Sequence, residues 1–99
     1  MFREDYPEIV DQLIELFEDS TPPLLRELRE GVEAGDEESV RRTAHKLKGS
    51  CQNIGASGMA GQIAELERDG ADPEQLDDLE VAFEATCDAL RAALTPAVS

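Results

Sequence analysis

The only histidine of this 99-residue chain lies in the segment AHKLKGS, residues 44–50, where two lysines follow it and a glycine stands four residues after it. At neutral pH an imidazole offers a nucleophilic nitrogen, and a neighbouring ammonium group can neutralise a phosphoryl group bound to it. Lys48 and Gly49 follow His45 by three and four residues, so on a helix both lie on the same face as His45. Because helical side chains lean toward the N-terminus, any side chain at position 49 would cover the ring. The segment therefore has the composition of an exposed phosphoryl acceptor.

The apolar residues around this segment predict that His45 points into solvent. They are spaced four, three, four and three residues apart, as expected for one stripe of a helix from residue 36 to residue 54: Val40, Ala44, Leu47, Cys51 and Ile54. At 100° per residue, all of them except Ala44 lie about 180° to 240° from His45. The alternative for a lone histidine on this face is an exposed helical residue without a special role.

Gly49 leaves two interpretations open. Inside a helix, glycine costs about 1 kcal/mol relative to alanine, and access to His45 is one compensating reason for its presence. Alternatively, Gly49 ends the helix, with Lys46 and Lys48 complementing the helix dipole in the last turn. The apolar stripe continues beyond Gly49, however, and Gly55 is the better terminator. We therefore expect the helix to pass through Gly49.

The basic residues are concentrated around the histidine in a chain that is otherwise acidic. With 23 acidic and 9 basic residues, the net charge is −14, which argues against nucleic acid or an anionic membrane as a partner. Four of the nine basic residues lie within positions 41–48: Arg41, Arg42, Lys46 and Lys48. We expect this basic cluster to dock against an acidic pocket of a partner protein.

The rest of the composition argues against other kinds of site. Cys51 and Cys87 are far apart, with no CxxC motif and no second histidine, so we expect two reduced thiols and neither a metal site nor a disulfide. No nucleotide-binding glycine motif is present, and the chain is expected to be a carrier without a cofactor rather than an enzyme. It has no apolar run long enough to span a membrane and no signal peptide, which predicts a cytoplasmic protein.

Apolar periodicity predicts an all-α protein with four main helices and a shorter one. The main helices are predicted at about residues 7–19, from 22 or 23 to 35, 36–54 and 72–94, and the shorter one at 57–68. The first helix is expected to turn five apolar residues toward the core: Ile9, Val10, Leu13, Ile14 and Phe17. The segment Ser20-Thr21-Pro22-Pro23 is expected to end it. The connections are short, so neighbouring helices should pack antiparallel within a single domain of residues 1–99.

Three features together carry a family resemblance: AHKLKGS at residues 44–50, Gly55 ten residues after the histidine, and Leu66-Glu67 near the end of the next helix. They resemble the histidine phosphotransfer (HPt) domain family of multistep two-component phosphorelays, over essentially the whole chain. The resemblance implies an antiparallel, up-down four-helix bundle with the active histidine, His45, on the exposed face of the central helix of residues 36–54. It further implies that His45 accepts a phosphoryl group from the aspartyl phosphate of one receiver domain and passes it to the aspartate of another.

The same resemblance assigns roles to the neighbours of His45. Lys48 would neutralise the phosphoryl group and Gly49 would leave the ring accessible, with Gln52 as a candidate for polar support. Lys46 would serve docking more than chemistry. Some relatives place a glutamine near the phosphohistidine from the following helix, where this chain has Glu67. We leave Glu67 out of the predicted site, because a carboxylate would repel a phosphoryl group.

The implied partners are response-regulator receiver domains and a hybrid sensor histidine kinase. Magnesium is expected in the partner receiver domain, with no cofactor or metal in this chain. We expect a monomer that binds neither nucleic acid nor membranes. The alternative is a helical adaptor, not itself phosphorylated, that binds a receiver or kinase through the same face. The two functions differ in whether His45 becomes covalently modified.

Overall fold

The computed structural model describes the backbone of residues 2–94 and the side chains of residues 9–93. The ends of the predicted domain of residues 1–99 lie outside these ranges. Between residues 2 and 94 the chain forms four helices and no strand: α1 (Phe2–Ala34), α2 (Glu37–Ile54), α3 (Ser57–Asp69) and α4 (Pro73–Leu94). The prediction of an all-α, four-helix protein is confirmed.

The helices form an up-down bundle in which each helix runs antiparallel to the next. Links of two or three residues join them, which is too short for a crossover connection. α1 and α3 each pack against both α2 and α4, so the four helices close into a ring.

Two arginines align α1 with α4. Arg29, late in α1, bonds to two carboxylates near the start of α4, and Arg91, late in α4, bonds to two carboxylates in the first half of α1. The partners are Asp77 and Glu80 for Arg29, at 2.9 and 3.0 Å, and Asp11 and Glu18 for Arg91. All of these groups are partly exposed, so the pairs define the antiparallel alignment more than they add stability.

Local signals in the sequence explain where the helices begin and end. Asp36 caps the start of α2 by accepting a hydrogen bond of 3.1 Å from the backbone N–H of Ser39. Gly55 ends α2 with a φ of +78°, a left-handed conformation that favours glycine. At the start of α4, Asp72 and Gln75 exchange hydrogen bonds of 2.9 and 3.0 Å in a capping box.

α2 supplies the centre of the core. Ala44, Leu47 and Cys51 are completely buried, as the apolar stripe predicts. They pack with buried residues of the other three helices: Phe17, Leu25, Leu28, Met59, Ile63, Leu66, Leu76 and Leu79. Burial raises the pKa of the Cys51 thiol to about 11, so this thiol is neutral at pH 7. Both Cys51 and Cys87 are free thiols.

The two helices predicted at residues 7–19 and from 22 or 23 to 35 are a single continuous helix, α1. Its buried positions keep helical spacing across Pro22 and Pro23, at intervals of three, four, four and three residues: Ile14, Phe17, Thr21, Leu25 and Leu28. Because proline has no N–H, the carbonyls of Glu18 and Asp19 lose their usual donors one turn ahead. The sequence-based prediction assumes that this cost ends the helix. In the structure, packing of the buried stripe outweighs it.

Two residues predicted to face the core, Ile9 and Leu13, are instead 53% and 51% exposed. α1 has 33 residues and matches the 50 Å length of the molecule, whereas α2 has 18 residues and is about 27 Å long. The first part of α1 therefore extends past the end of α2, and Leu13 and Leu16 lie beside the last turns of α2 without being covered by them. With Leu16, which is 63% exposed, these residues form an apolar strip on the surface of α1. We call Ile9, Leu13 and Leu16 the α1 strip.

Replacing Pro23 with alanine tests the continuity of α1. Pro23 is exposed, so Pro23→Ala removes little packing and returns an N–H donor to the middle of the helix. We expect the free energy of unfolding, measured by urea denaturation, to increase by about 1 to 3 kcal/mol. Pro73→Ala is the control, because Pro73 is the first residue of α4, where proline is tolerated. If Pro23→Ala gives no more gain than Pro73→Ala, a helix begins at the prolines and α1 is not continuous.

Candidate functional site

His45 lies on the outer surface of α2. Its side chain is 77% exposed, whereas Ala44, the residue before it, is completely buried. This contrast follows from the apolar stripe, because neighbouring residues on a helix point about 100° apart. The imidazole therefore stands in solvent on a backbone that the core holds in place.

α3 brings a carboxylate against this face of α2. Lys48 Nζ donates a hydrogen bond of 2.5 Å to Glu67 Oε1, and Glu67 Oε2 lies 3.4 Å from His45 Nδ1. The second distance is long for a hydrogen bond, and a small rotation of the exposed ring would shorten it. Glu67 is only 17% exposed, so its carboxylate is fixed between the other two side chains. We call His45, Lys48 and Glu67 the His45 cluster.

Glu67, which we left out of the predicted site, lies against both Lys48 and His45. The hydrogen bond from Lys48 keeps the pKa of the Glu67 carboxyl below its usual value, although partial burial acts in the opposite direction. Glu67 is therefore ionised at neutral pH. Because its folded-state pKa is lowered, the stabilisation from this pairing is present at neutral pH and is lost as the pH falls through the lowered pKa.

The position of Glu67 favours one tautomer of His45. A carboxylate facing Nδ1 favours a proton on that nitrogen, since Nδ1–H can donate to it. The lone pair of the neutral ring is then on Nε2, the nitrogen that does not face Glu67. In an exposed ring, an Nε2 with a free lone pair is available for nucleophilic attack.

Gly49 is an internal residue of α2. Its φ is not positive, and nothing lies within 4 Å of the position that a Cβ would occupy. The helix continues to Ile54 and ends at Gly55, so the alternative in which Gly49 terminates the helix is wrong. Since side chains lean toward the N-terminus, the open space at Gly49 adjoins His45 one turn earlier.

The remaining predicted residues lie on the same helix as His45. Arg41, Arg42 and Lys46 are exposed and lie within four residues of His45 on α2, so they add positive charge to this part of the helix surface. Gln52 is also exposed, but it lies two turns away, about 10 Å along the helix axis. The structure does not bring Gln52 to the imidazole, and its supporting role stays a prediction.

An apolar cleft of about 120 Å³ opens between α1 and α2. It is lined by three residues of α2 and four of α1: Ser50, Asn53, Ile54, Leu13, Leu16, Phe17 and Ser20. Ser50 and Asn53 lie about 140° and 80° from His45 around α2, so the cleft adjoins the His45 face on its α1 side. Glu67 adjoins the same face on the α3 side. The exposed face of α2 is therefore bordered by apolar residues on its α1 side and by the Glu67 carboxylate on its α3 side.

Sequence reasoning missed Glu67 and the α1 strip. The signal for Glu67 is its neighbour Leu66, a buried core residue of α3, because the residue after a core position lies at the edge of the helix interface. The exposure of the α1 strip has no local signal. It depends on where along α1 the last turns of α2 lie, which becomes visible only once α1 is known to be continuous.

Other parts of the structure contribute less to a site. A cleft of about 420 Å³ lies between the α1–α2 turn and the end of α3, and His45 is not among the residues that line it. Among the described residues, no three histidine, cysteine or acidic side chains converge in a way that could hold a metal ion. Within residues 2–94, no helix is both long enough and apolar enough to cross a membrane.

Comparison with known proteins gives one match. A family model described as "Hpt domain" matches residues 1–93. Neither a curated protein nor a solved structure is significantly similar to the chain. The match includes α1, α2, α3 and nearly all of α4, and with them every residue of the His45 cluster.

Alanine at Gly49 tests the local geometry of the site. Because Gly49 has a helical φ and free space around it, Gly49→Ala should raise the free energy of unfolding by up to about 1 kcal/mol. Gly55→Ala is the matched control, since the φ of +78° at Gly55 should make the same change cost about 1 kcal/mol. Urea denaturation of both variants measures the two signs. Destabilisation by Gly49→Ala would contradict an internal helical position.

Proposed function

The chain belongs to the Hpt domain family, whose members serve phosphotransfer in phosphorelays and interact with receiver domains, and we propose that His45 carries the phosphoryl group. His45 accepts the group from the aspartyl phosphate of one receiver domain and relays it to the aspartate of another. One observation carries this proposal. The only imidazole of the chain is 77% exposed and has Glu67 against Nδ1, which leaves the lone pair of Nε2 available.

The accepting step forms a bond between His45 Nε2 and phosphorus. The bond between phosphorus and the aspartate oxygen breaks, and its electron pair leaves with the carboxylate. The donating step reverses this exchange with the second receiver. Lys48, one turn from His45 and held toward α3 by Glu67, supplies positive charge near the transferred group. The receiver domain supplies magnesium, and this chain supplies the nucleophile.

The docking face combines the basic cluster with the apolar cleft beside α1. Arg41, Arg42 and Lys46 attract the acidic pocket that surrounds a receiver aspartate, and such attraction weakens with salt. The α1 strip adds apolar surface to this docking face, and Leu16 within it is 63% exposed. Exposed apolar residues that border a reactive group are suited to a partner that binds transiently. Because Gly49 has no side chain, nothing projects beside the imidazole from this position, so the receiver can approach His45.

Several further properties belong to the same proposal. The phosphoryl source is a receiver domain of a hybrid sensor histidine kinase, and the chain acts as a cytoplasmic monomer. The competing possibility, an adaptor that binds without being phosphorylated, would use the same exposed face. It makes no use of the lone pair on Nε2.

Replacing His45 with glutamine tests the phosphoryl carrier directly. The chain is incubated with a panel of receiver domains carrying labelled aspartyl phosphate, and the label on this chain is followed by gel electrophoresis. We expect one acid-labile, base-stable label per chain in the native protein and none in His45→Gln. Because His45 is exposed, the substitution should leave the free energy of unfolding within about 0.5 kcal/mol.

Two outcomes would reject the carrier proposal. Label that persists in His45→Gln would place the acceptor elsewhere. Receiver domains that bind the chain without any transfer would favour the adaptor.

Replacing Leu16 with serine tests the docking face. Leu16 is 63% exposed, so Leu16→Ser should change the free energy of unfolding little, while it removes apolar surface from the interface. Losing about 1 to 1.5 kcal/mol of apolar contact would raise the Kd for the receiver about five- to tenfold. Val81→Ser is the matched control, because Val81 is 67% exposed on α4. Equal Kd values for the two variants, measured by calorimetry, would remove the α1 strip from the interface.

A further inference from the structure

A second apolar pocket opens where α2 ends. α2 stops at Ile54, and beside its end α1 and α4 enclose a pocket of about 230 Å³. Seven residues line the pocket, from α1, the end of α2 and the end of α4: Val10, Leu13, Ile14, Asn53, Ile54, Leu90 and Ala93. Asn53 is the only polar residue among these seven. We call this space the end pocket.

The end pocket is continuous with the apolar cleft beside α1. Leu13, Asn53 and Ile54 line both of them, and Leu13 belongs to the α1 strip. Asn53 follows His45 by eight residues on α2, which is about 12 Å along the helix axis. A standard protein interface covers about 800 Å² on each partner and is therefore roughly 30 Å across. A partner that covers both His45 and the α1 strip thus also reaches the end pocket.

The walls of the end pocket are held in place before any partner binds. Arg91 of α4 bonds to Asp11 and Glu18 of α1, and it directly follows Leu90 of the pocket lining. Ile14, the most deeply buried residue of the lining, is 1% exposed and part of the core. A preformed pocket lowers the cost of association, because fewer groups become ordered on binding.

We propose that the end pocket receives an apolar side chain of the receiver domain that docks on His45. Apolar anchors that fill pockets carry much of the binding energy of protein interfaces. Small-molecule sites instead combine an apolar lining with several polar groups that fix the ligand, and Asn53 alone does not provide them. At the rim, the Asn53 amide can donate and accept hydrogen bonds beside the anchor. This inference rests on the proposed phosphotransfer between His45 and a receiver domain.

The charge of the chain favours a receiver domain over a second copy of the chain as the occupant. At a net charge of −14, two copies repel each other. The basic cluster lies on the same helix as Asn53 and Ile54, and it attracts the acidic pocket of a receiver. A receiver bound at His45 can therefore use charge at one end of α2 and apolar contact at the other.

Filling the end pocket with a larger side chain tests the proposal. Ala93 is exposed and lines the pocket, so Ala93→Leu places a bulky apolar group in it. Ala92→Leu is the matched control, because Ala92 is also an exposed alanine of α4 but does not line the pocket. Alanine and leucine are both good helix formers, so neither change disturbs the helix. The partner is a receiver domain that transfers label to the native chain.

We expect Ala93→Leu to raise the Kd for this receiver, measured by calorimetry, about tenfold to a hundredfold. This is the loss expected when one large apolar side chain can no longer be buried. Label transfer should slow at limiting receiver and keep its native rate at saturating receiver, because the pocket is remote from the imidazole. Ala92→Leu should match the native chain in both measurements.

A Kd for Ala93→Leu that is no higher than that of Ala92→Leu would overturn the inference. Slower transfer by Ala93→Leu at saturating receiver would also overturn it, since the effect would then lie in the chemical step. A change in sedimentation of Ala93→Leu with an unchanged Kd would assign the pocket to a second copy instead. If no receiver labels the native chain, the proposed function fails, an outcome distinct from labelled variants with equal Kd values.

Discussion

The burial of one face of α2 is the constraint on which the rest of the structure depends. Ala44, Leu47 and Cys51 are completely buried, and they fix the rotation of α2 about its own axis. Once that rotation is set, His45 must point outward, because one residue along a helix corresponds to about 100°. The packed core thus fixes the backbone position from which the exposed His45 side chain projects. A reactive group in this position needs no loop to present it.

The same rotation decides which neighbours can reach the imidazole. Lys48 lies on the α3 side of His45, and Gly49 lies between the ring and α1. α3 is short, with 13 residues, yet it extends far enough for Glu67 to lie level with the site. An ion pair between α2 and α3 therefore forms at the one place where it can also influence the histidine. This pair is largely shielded from solvent, unlike the more exposed pairs of Arg29 and Arg91, and its position beside the imidazole sets it apart from them.

Most of the fold could be predicted from the periodicity of apolar residues, and α2 most completely. Its cap at Asp36, its buried stripe and its end at Gly55 are all local properties of the sequence. α1 could not be predicted in the same way, because Pro22 and Pro23 are a strong local signal that packing across the whole bundle overrides. Glu67 illustrates a different limit. Its charge suggests exclusion from a phosphoryl site, and only the position of Lys48 opposite it reverses that expectation.

The proline pair in α1 has a consequence for motion. The two lost N–H donors interrupt the hydrogen-bond ladder of α1 between its first part, which carries the α1 strip, and its second part, which packs along α2. A helix with such an interruption can open on one side without unwinding the other. The hydrogen-bond ladder of α1 is therefore weakest at the proline pair, between two stretches that are both packed into the bundle. The stretch that borders the cleft stays attached to the bundle through buried Ile14 and Phe17, so bending of α1 around a visiting protein would centre on the prolines.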